Sequence, residues 1–248
     1  MRKTLWSLLL LGLALAQGRL EAGAYLGPRV SPTLEAGLAL GEGEVLLRLQ
    51  GDRGALGYLG SLSLGPLGYL AYGLQGEVGE GGLGGAAFLE GGAGPLALEG
   101  RLGYRPRRAY PLFPEEGAFG RLSLRYRLAP REVAGFLLER EGGLRAEATY
   151  VLREEATYTL GLGVGAWPYL VLGWKGEVGE EGEVLDLSLR LGGVNRLEGG
   201  VYLGEASLLF TLSHPWAGSL LLWFGDLGLE AGFREAPYAW VRYTWRWP

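Results

Sequence analysis

A single histidine gives the chain its most conspicuous catalytic group. His214 stands in the run Ser213-His214-Pro215-Trp216, between two short alternating segments. With a serine and the only asparagine, Asn195, it could activate a hydroxyl nucleophile for ester hydrolysis. No local motif joins these three residue types, so a residue of an interfacial turn is the competing interpretation.

The composition leaves little room for metal, thiol or nucleic-acid chemistry. The chain has no cysteine and one histidine, which excludes disulfides, thiol nucleophiles and two-histidine metal sites. The acidic segments 77–80 and 177–183 offer carboxylates to Ca²⁺, but they lack a regular spacing of oxygen ligands, which favours solvated turns. We therefore predict no catalytic residue, no metal and no cofactor.

Charged and small polar residues recur at every second position of several segments. Residues 118–128 set Arg121, Arg125 and Arg127 against leucines and a tyrosine, and 144–152 set Arg145 and Glu147 against apolar residues. A helix would scatter these charges around its axis, whereas a strand places them on one face. The pattern predicts β-strands with one charged and one apolar face.

Glycine turns separate these segments. The chain holds 46 glycines, and Gly41, Gly51 and Gly225 stand where tight hairpins need a positive φ. The turns divide the chain into 18 candidate strands, several shorter than the roughly 9–11 residues of a membrane strand. We predict an all-β, antiparallel up-and-down barrel of about 16 strands, within a range of 12 to 18. The segment 105–117, with three prolines, is the one long connection.

A weak internal repeat appears at an offset of 100 residues. The segment 69–80 recurs as 169–180, from a Tyr-Leu pair to a Gly-Glu-Val-Gly-Glu run. Seven candidate strands separate the two copies, whereas duplication of a hairpin unit requires an even number. The sequence is compatible both with coincidence in a Gly/Leu/Glu-rich chain and with a real duplication.

The N-terminus has the layout of a secretory signal. Arg2 and Lys3 precede a short apolar run, and Ala14-Leu15-Ala16 forms a cleavage site. We expect a signal peptide over 1–16 and one transmembrane β-barrel domain over 17–248. Removal of Arg2 and Lys3 from the 23 basic residues leaves 21 against 27 acidic ones, a net charge of −6. An acidic exported protein is not built to bind nucleic acid.

The low content of Asn, Cys and Met is typical of proteins from thermophiles, and a GC-rich genome gives the same bias.

The polarity of the alternation favours a membrane barrel over a soluble one. Charged residues form one continuous face, and apolar residues form the other. Tyrosines and tryptophans stand near strand ends, as in the aromatic girdles of membrane barrels: Tyr25, Tyr104, Trp167, Trp216, Trp223, Trp240 and Trp247. A soluble β-sandwich or an exported β-solenoid is the alternative.

These features, with the alternating terminal residues Tyr243, Trp245 and Trp247, resemble the bacterial outer-membrane β-barrel proteins of the porin type. The resemblance implies insertion in the lipid bilayer of the cell outer membrane. It also implies recognition of the C-terminal strand by the barrel-assembly machinery. The chain departs from that pattern by ending in Pro248 rather than in an aromatic residue.

The resemblance leaves three functions open. The first is a porin-like channel for small hydrophilic solutes or ions, with a modest anion preference. Its pore-lining residues would be Arg121, Arg125, Arg127, Arg145, Glu147, Arg190 and Arg242, and its constriction loop would carry Arg107, Arg108, Glu115 and Glu116. The second is a structural or docking barrel whose lumen is plugged by Arg–Glu pairs. The third is a membrane-embedded lipid hydrolase. Substrate, oligomeric state and exact strand number stay undetermined.

Overall fold

The chain alternates strand and turn from end to end in a computed structural model. The structure describes residues 17–28, 30–79, 81–106, 116–140, 143–179, 182–193, 195–233 and 236–247. The first nine strands are β1 Gly18–Leu26, β2 Ser31–Leu40, β3 Gly43–Gln50, β4 Arg53–Ser63, β5 Tyr69–Gly79, β6 Gly82–Ala93, β7 Leu96–Arg105, β8 Gly117–Ala129 and β9 Glu132–Arg140. The others are β10 Leu144–Arg153, β11 Thr157–Val164, β12 Pro168–Val178, β13 Glu183–Gly192, β14 Asn195–Leu203, β15 Ala206–His214, β16 Ala217–Phe224, β17 Leu227–Phe233 and β18 Pro237–Trp247. The predicted signal peptide lies outside the described residues.

Glycine makes the tightest hairpins possible. Gly41, Gly51 and Gly225 open two-residue turns with φ values of 61°, 59° and 55°. This left-handed region costs a glycine nothing, and it gives a turn whose twist matches that of the flanking strands. Short turns force each strand to pair with the next one along the chain.

The sheet closes on itself. β1 pairs antiparallel with β2 and also with β18, where Gly18 faces Trp247 and Leu26 faces Ala239. All other neighbours in the ring are consecutive in sequence. The prediction of an all-β, antiparallel up-and-down barrel is confirmed. The barrel has 18 strands, close to the predicted 16, because even the 7-residue β17 pairs along its whole length.

Antiparallel order places the connections at two ends. The end that carries Gly18 and Trp247 also carries seven hairpin turns and the turn at 64–68, and we call it the terminal end. The opposite end, which carries the connection 106–116, is here the loop end. That connection is the longest one, since every other has two to five residues.

Burial is inverted relative to a soluble protein. Gln50 and Arg105 are 1% exposed, whereas Leu74 and Leu162 are 70% exposed and Leu83 is 76% exposed. Polar side chains therefore point into the barrel and large apolar ones point outward. An outward apolar band is the surface that a lipid bilayer covers.

The repeated segments occupy strands of opposite direction. Tyr69 begins β5 at the terminal end, whereas the matching Tyr169 stands at the loop end of β12. The two strands are seven apart, and an odd offset reverses direction in an up-and-down barrel. The repeat therefore does not superpose one hairpin on another.

Candidate functional site

The charged side chains of the strands lie almost entirely on the inner face. The strands contain 30 charged residues, and the register places 27 of them inside. The exceptions, Glu132, Arg140 and Glu183, are each the first or last residue of a strand. The fifteen inner basic residues are Arg19, Arg48, Arg53, Arg101, Arg105, Arg121, Arg125, Arg127, Arg145, Arg153, Lys175, Arg190, Arg196, Arg242 and Arg246, and the twelve acidic ones are Glu21, Glu35, Glu44, Glu77, Glu90, Glu99, Glu139, Glu147, Glu177, Asp186, Glu198 and Glu230. The wall thus carries a formal excess of three positive charges.

A chain of hydrogen bonds crosses the wall formed by β1 to β7. Arg19 Nε donates to Glu44 Oε1 at 3.3 Å, and Arg19 Nη2 donates to Glu35 Oε1 at 3.0 Å. Arg48 Nε reaches the other oxygen of Glu35 at 2.7 Å. Since each of these two arginines has a carboxylate partner, this part of the hydrogen-bond network carries no net charge.

The same chain continues toward the loop end. Arg48 Nη1 donates to Gln75 Oε1 at 3.2 Å, and the amide of Gln75 donates to Glu77 Oε1 at 2.8 Å. Glu77 accepts from Arg105 Nε at 2.6 Å and from the other arm of Arg105, and it lies 3.7 Å from Arg53 Nη1. The side chains of Glu77, Arg105 and Arg53 are at most 2% exposed, so the carboxylate compensates two buried cations.

A second cluster surrounds Glu147 near the loop end. Glu147 Oε1 accepts from Tyr169 Oη at 3.0 Å and from Arg190 Nε at 2.8 Å. Arg190 Nη1 donates to Glu198 Oε2 at 3.0 Å. Glu147 and Arg190, both predicted to line a pore, do face the lumen, but their side chains are only 3% and 15% exposed.

Arg242, another predicted pore residue, is held between two indole rings. Its guanidinium carbon lies 4.0 Å from the ring centre of Trp240 and 4.6 Å from that of Trp223. Its nitrogens stand 3.6 Å from a Glu21 oxygen and 3.8 Å from a Glu230 oxygen. Aromatic faces and two carboxylates together hold this cation against the wall.

The remaining predicted arginines divide into two kinds. Arg121, Arg125 and Arg127 share the inner face of β8, are exposed, and form no ion pair with a described residue. Arg145 instead forms an ion pair with Glu139 of β9. Two acidic residues stand close to these β8 arginines, since the register places Glu139 opposite Arg121 and Glu99 opposite Ser123.

The predicted constriction loop falls mostly on undescribed residues. Arg107, Arg108 and Glu115 lie outside the described residues, and Glu116 immediately precedes β8. The candidate site therefore consists of residues of the barrel strands.

His214 and Asn195 do meet, although no sequence motif joins them. They stand directly opposite each other on β14 and β15, on the outer face at the loop end. Asn195 Oδ1 accepts from the backbone N–H of Gly192 at 3.2 Å, which is a turn contact. Every serine and threonine in the described strands faces the lumen, including Ser213 beside the histidine. The three parts of a hydrolytic triad are therefore not assembled on one face.

The predicted aromatic girdle is only partly correct. Tyr104 and Trp247 point outward near strand ends, and Trp167 and Trp216 are 73% and 74% exposed in loop-end turns. Tyr25, Trp223 and Trp240 instead share the inner parity of their strands with charged neighbours. Trp240 donates to Thr33 Oγ1 at 3.1 Å inside the barrel.

Several inner residues escaped the sequence prediction. Arg53, Gln75, Glu77, Arg105 and Glu139 all take part in the clusters above. The signal that finds them is the parity of each strand, since each stands an even number of positions from a neighbour that the register places inside.

In the described part of the chain, no group of three or more His, Asp or Glu residues is placed to hold a metal ion. No helical segment there has the length and apolar character that crossing a membrane requires.

No protein-family model and no curated protein sequence matches this chain. Its structure is similar to that of the Rh. blastica porin. Two mutant forms of that porin match with a TM-score of 0.50, 10% and 9% identity, and coverage of 94% of this chain and 99% of theirs. The outer membrane protein OpdK of Pseudomonas aeruginosa matches at a TM-score of 0.42 and 12% identity, over 94% of this chain and 98% of that one. The porin comparison shows a shared barrel fold, and its low identity says nothing about what passes through this lumen.

Proposed function

We propose that this protein is a passive, water-filled channel of the outer membrane for small hydrophilic solutes. One observation carries the proposal: Arg121, Arg125 and Arg127 point into the barrel and are nonetheless exposed and unpaired among the described residues. A charged side chain on an inner wall needs either a partner or water. The space beside β8 is therefore accessible to water.

The size of the ring supports an open lumen. Eighteen strands, spaced about 4.8 Å apart and tilted by about 40°, close into a cylinder roughly 36 Å across between backbones. The ion pairs described above join strands no more than three apart in the ring, so they run along the wall. Barrels of this strand number leave an aqueous channel.

A modest anion preference completes the proposal. The excess positive charge is concentrated on β8, and unpaired cations at a pore wall lower the energy of a passing anion. Reversal potentials across a salt gradient test this in planar bilayers. We expect anion preference in the native protein and its loss in the triple variant Arg121/Arg125/Arg127→Ser.

Arg140→Ser is the matched control, because Arg140 is an arginine of the neighbouring β9 that points outward. It should leave the reversal potential unchanged. Cation preference in the native protein would overturn the anion proposal. Absence of any conductance would overturn the channel itself and favour the alternative, a structural or docking barrel, which the clusters around Glu77 and Glu147 support.

The location of the protein is part of the proposal. We expect the mature chain to begin at Gln17, to sit in the lipid bilayer of the outer membrane, and to be assembled through its C-terminal strand. The outward Tyr243, Trp245 and Trp247 of β18 support this. N-terminal sequencing of isolated outer membranes tests it, and an intact Met1 or recovery from the soluble periplasm would contradict it.

A further inference from the structure

We propose that the inner wall around Ser123 recognises zwitterionic amino acids that have apolar side chains. The inference rests on the proposed channel function, and it names a substrate class for that channel. It comes from three neighbouring strands, which around Ser123 present an acidic, a basic and an apolar side chain to the lumen.

The register brings the three chemistries together at Ser123. This residue stands opposite Glu99 of β7 on one side and opposite Leu137 of β9 on the other. Arg121 and Arg125 flank it along β8 on the same face. Directly opposed β-carbons lie about 4.5–5.5 Å apart and diagonal ones about 7–8 Å. A small solute can therefore touch all three strands at once.

The opposite charges at this patch are close but do not pair. Arg121 and Arg125 form no ion pair with a described carboxylate, and Glu99 forms none with a described cation. Glu90 stands directly opposite Glu99 and accepts from Tyr69 Oη at 3.1 Å. This arrangement differs from that around Glu35 or Glu77, where every carboxylate oxygen is used by an arginine or glutamine.

Such a wall selects a solute that carries both charges. A simple anion near Arg125 also meets the field of Glu99 and Glu90, and a simple cation near Glu99 meets that of Arg121 and Arg125. An α-amino acid offers its carboxylate to β8 and its ammonium group to β7 from a single carbon. An exposed arginine of β8 and the half-buried Glu99 then each gain a partner without moving toward each other.

The inner face of β9 is the surface against which the apolar side chain of the amino acid would lie. From Leu137 toward the terminal end, the inner face of β9 continues with Gly135 and Val133 and carries no charge. Val133, Gly135 and Leu137 thus form an apolar strip beside Ser123 and Arg125, on the terminal side of Glu139, which stands opposite Arg121. A side chain such as that of valine fits that strip.

Tracer influx into phosphatidylcholine liposomes that contain the full chain tests the proposal. The solutes are L-valine, glycine and erythritol, the last an uncharged solute of similar size. Glu99→Gln should lower L-valine influx relative to erythritol by roughly twofold to fivefold, the range of one exposed ion pair. Leu137→Ser should lower influx of L-valine and leave that of glycine unchanged.

Glu177→Gln is the control, because Glu177 is an exposed inner-face glutamate on β12, far from β8 in the ring. It should leave the ratio unchanged. An equal ratio in native protein, Glu99→Gln and Glu177→Gln would overturn the inference, while erythritol influx would still support the channel. If no solute enters liposomes containing the native protein, both the channel proposal and this inference are wrong. Erythritol influx into each variant also shows that the variant has folded.

Discussion

Tyr169 lies flat against Gly163, its partner across the β11–β12 pair on the inner face. A β-carbon at position 163 would overlap the ring atoms of Tyr169. The absence of a side chain at Gly163 therefore lets the ring lie along the wall, where its hydroxyl reaches Glu147 at 3.0 Å. In the same way, Gly103 leaves room for the ring of Phe119, and Gly232 leaves room for the ring of Tyr238. Much of the glycine content of the strands makes room for neighbouring rings.

Gly163→Ala should destabilise the barrel by about 1–3 kcal/mol, the usual cost of overpacking. The added methyl group displaces Tyr169 and weakens its hydrogen bond to Glu147. The free energy of unfolding, measured by urea-dependent folding into liposomes, checks this. Gly76→Ala is the control, since a β-carbon there meets nothing within 4 Å; equal losses in both variants would contradict the ring-support argument.

Charge should be tolerated on one strand face only. Leu124 points outward between Leu98 and Phe136, and Leu124→Arg should cost roughly 2–4 kcal/mol if it lies near the bilayer midplane. Ser123 points inward, and Ser123→Arg should cost little. Folding into liposomes compares the two, and equal effects would contradict the assignment of faces.

Glu77→Gln should destabilise the protein far more than Glu44→Gln. Glu77 accepts hydrogen bonds from Arg105 in a cluster whose side chains are almost fully buried, and loss of a buried ionic partner costs about 3–5 kcal/mol. Glu44 meets Arg19, whose side chain is 45% exposed, and its loss should cost about 0–1 kcal/mol. A gel that compares heated with unheated samples over a range of temperatures measures both. Similar unfolding temperatures would show that burial does not govern this wall.

We expect no hydrolysis of phospholipid micelles by the purified protein. His214 and Asn195 share the outer face, but the serines of β15 and Ser219 of the neighbouring β16 face the lumen. Fatty-acid release that disappears in His214→Ala would contradict this and restore the hydrolase hypothesis.

The two faces of each strand follow from sequence alone, since period two places Arg121, Ser123 and Arg125 on one side and Leu122 and Leu124 on the other. The strands follow equally well, because glycine turns mark them. For aromatic residues, a position near a strand end does not by itself show which face of the strand the ring lies on. Trp223 and Trp240 stand near strand ends, yet their strand neighbours at even spacing include Leu221 and Arg242, which face inward.

The pairing of charges could not be predicted. Arg145 pairs with Glu139 because the register of the β9–β10 hairpin places them opposite each other. Glu147 pairs with Arg190 because the two side chains extend toward each other along the wall between β10 and β13. Spacing along the chain carries no such information: Glu147 and Arg190 are 43 residues apart. Arg145 is paired, whereas the arginines of β8 have no ion-pair partner in the described part of the chain, and this contrast emerges only from the folded wall.

The pairing of β1 with β18 sets an order of events for folding. Hydrogen bonds such as Trp240 to Thr33 join residues 207 positions apart, and such long-range contacts form slowly. The first strand cannot find its second neighbour until the last strand has been synthesised. Until β1 and β18 have paired, each of them presents a free edge able to pair with another chain. The interval between synthesis and closure is thus when this protein is most exposed to aggregation, and a chain that lacks β18 would remain in that state.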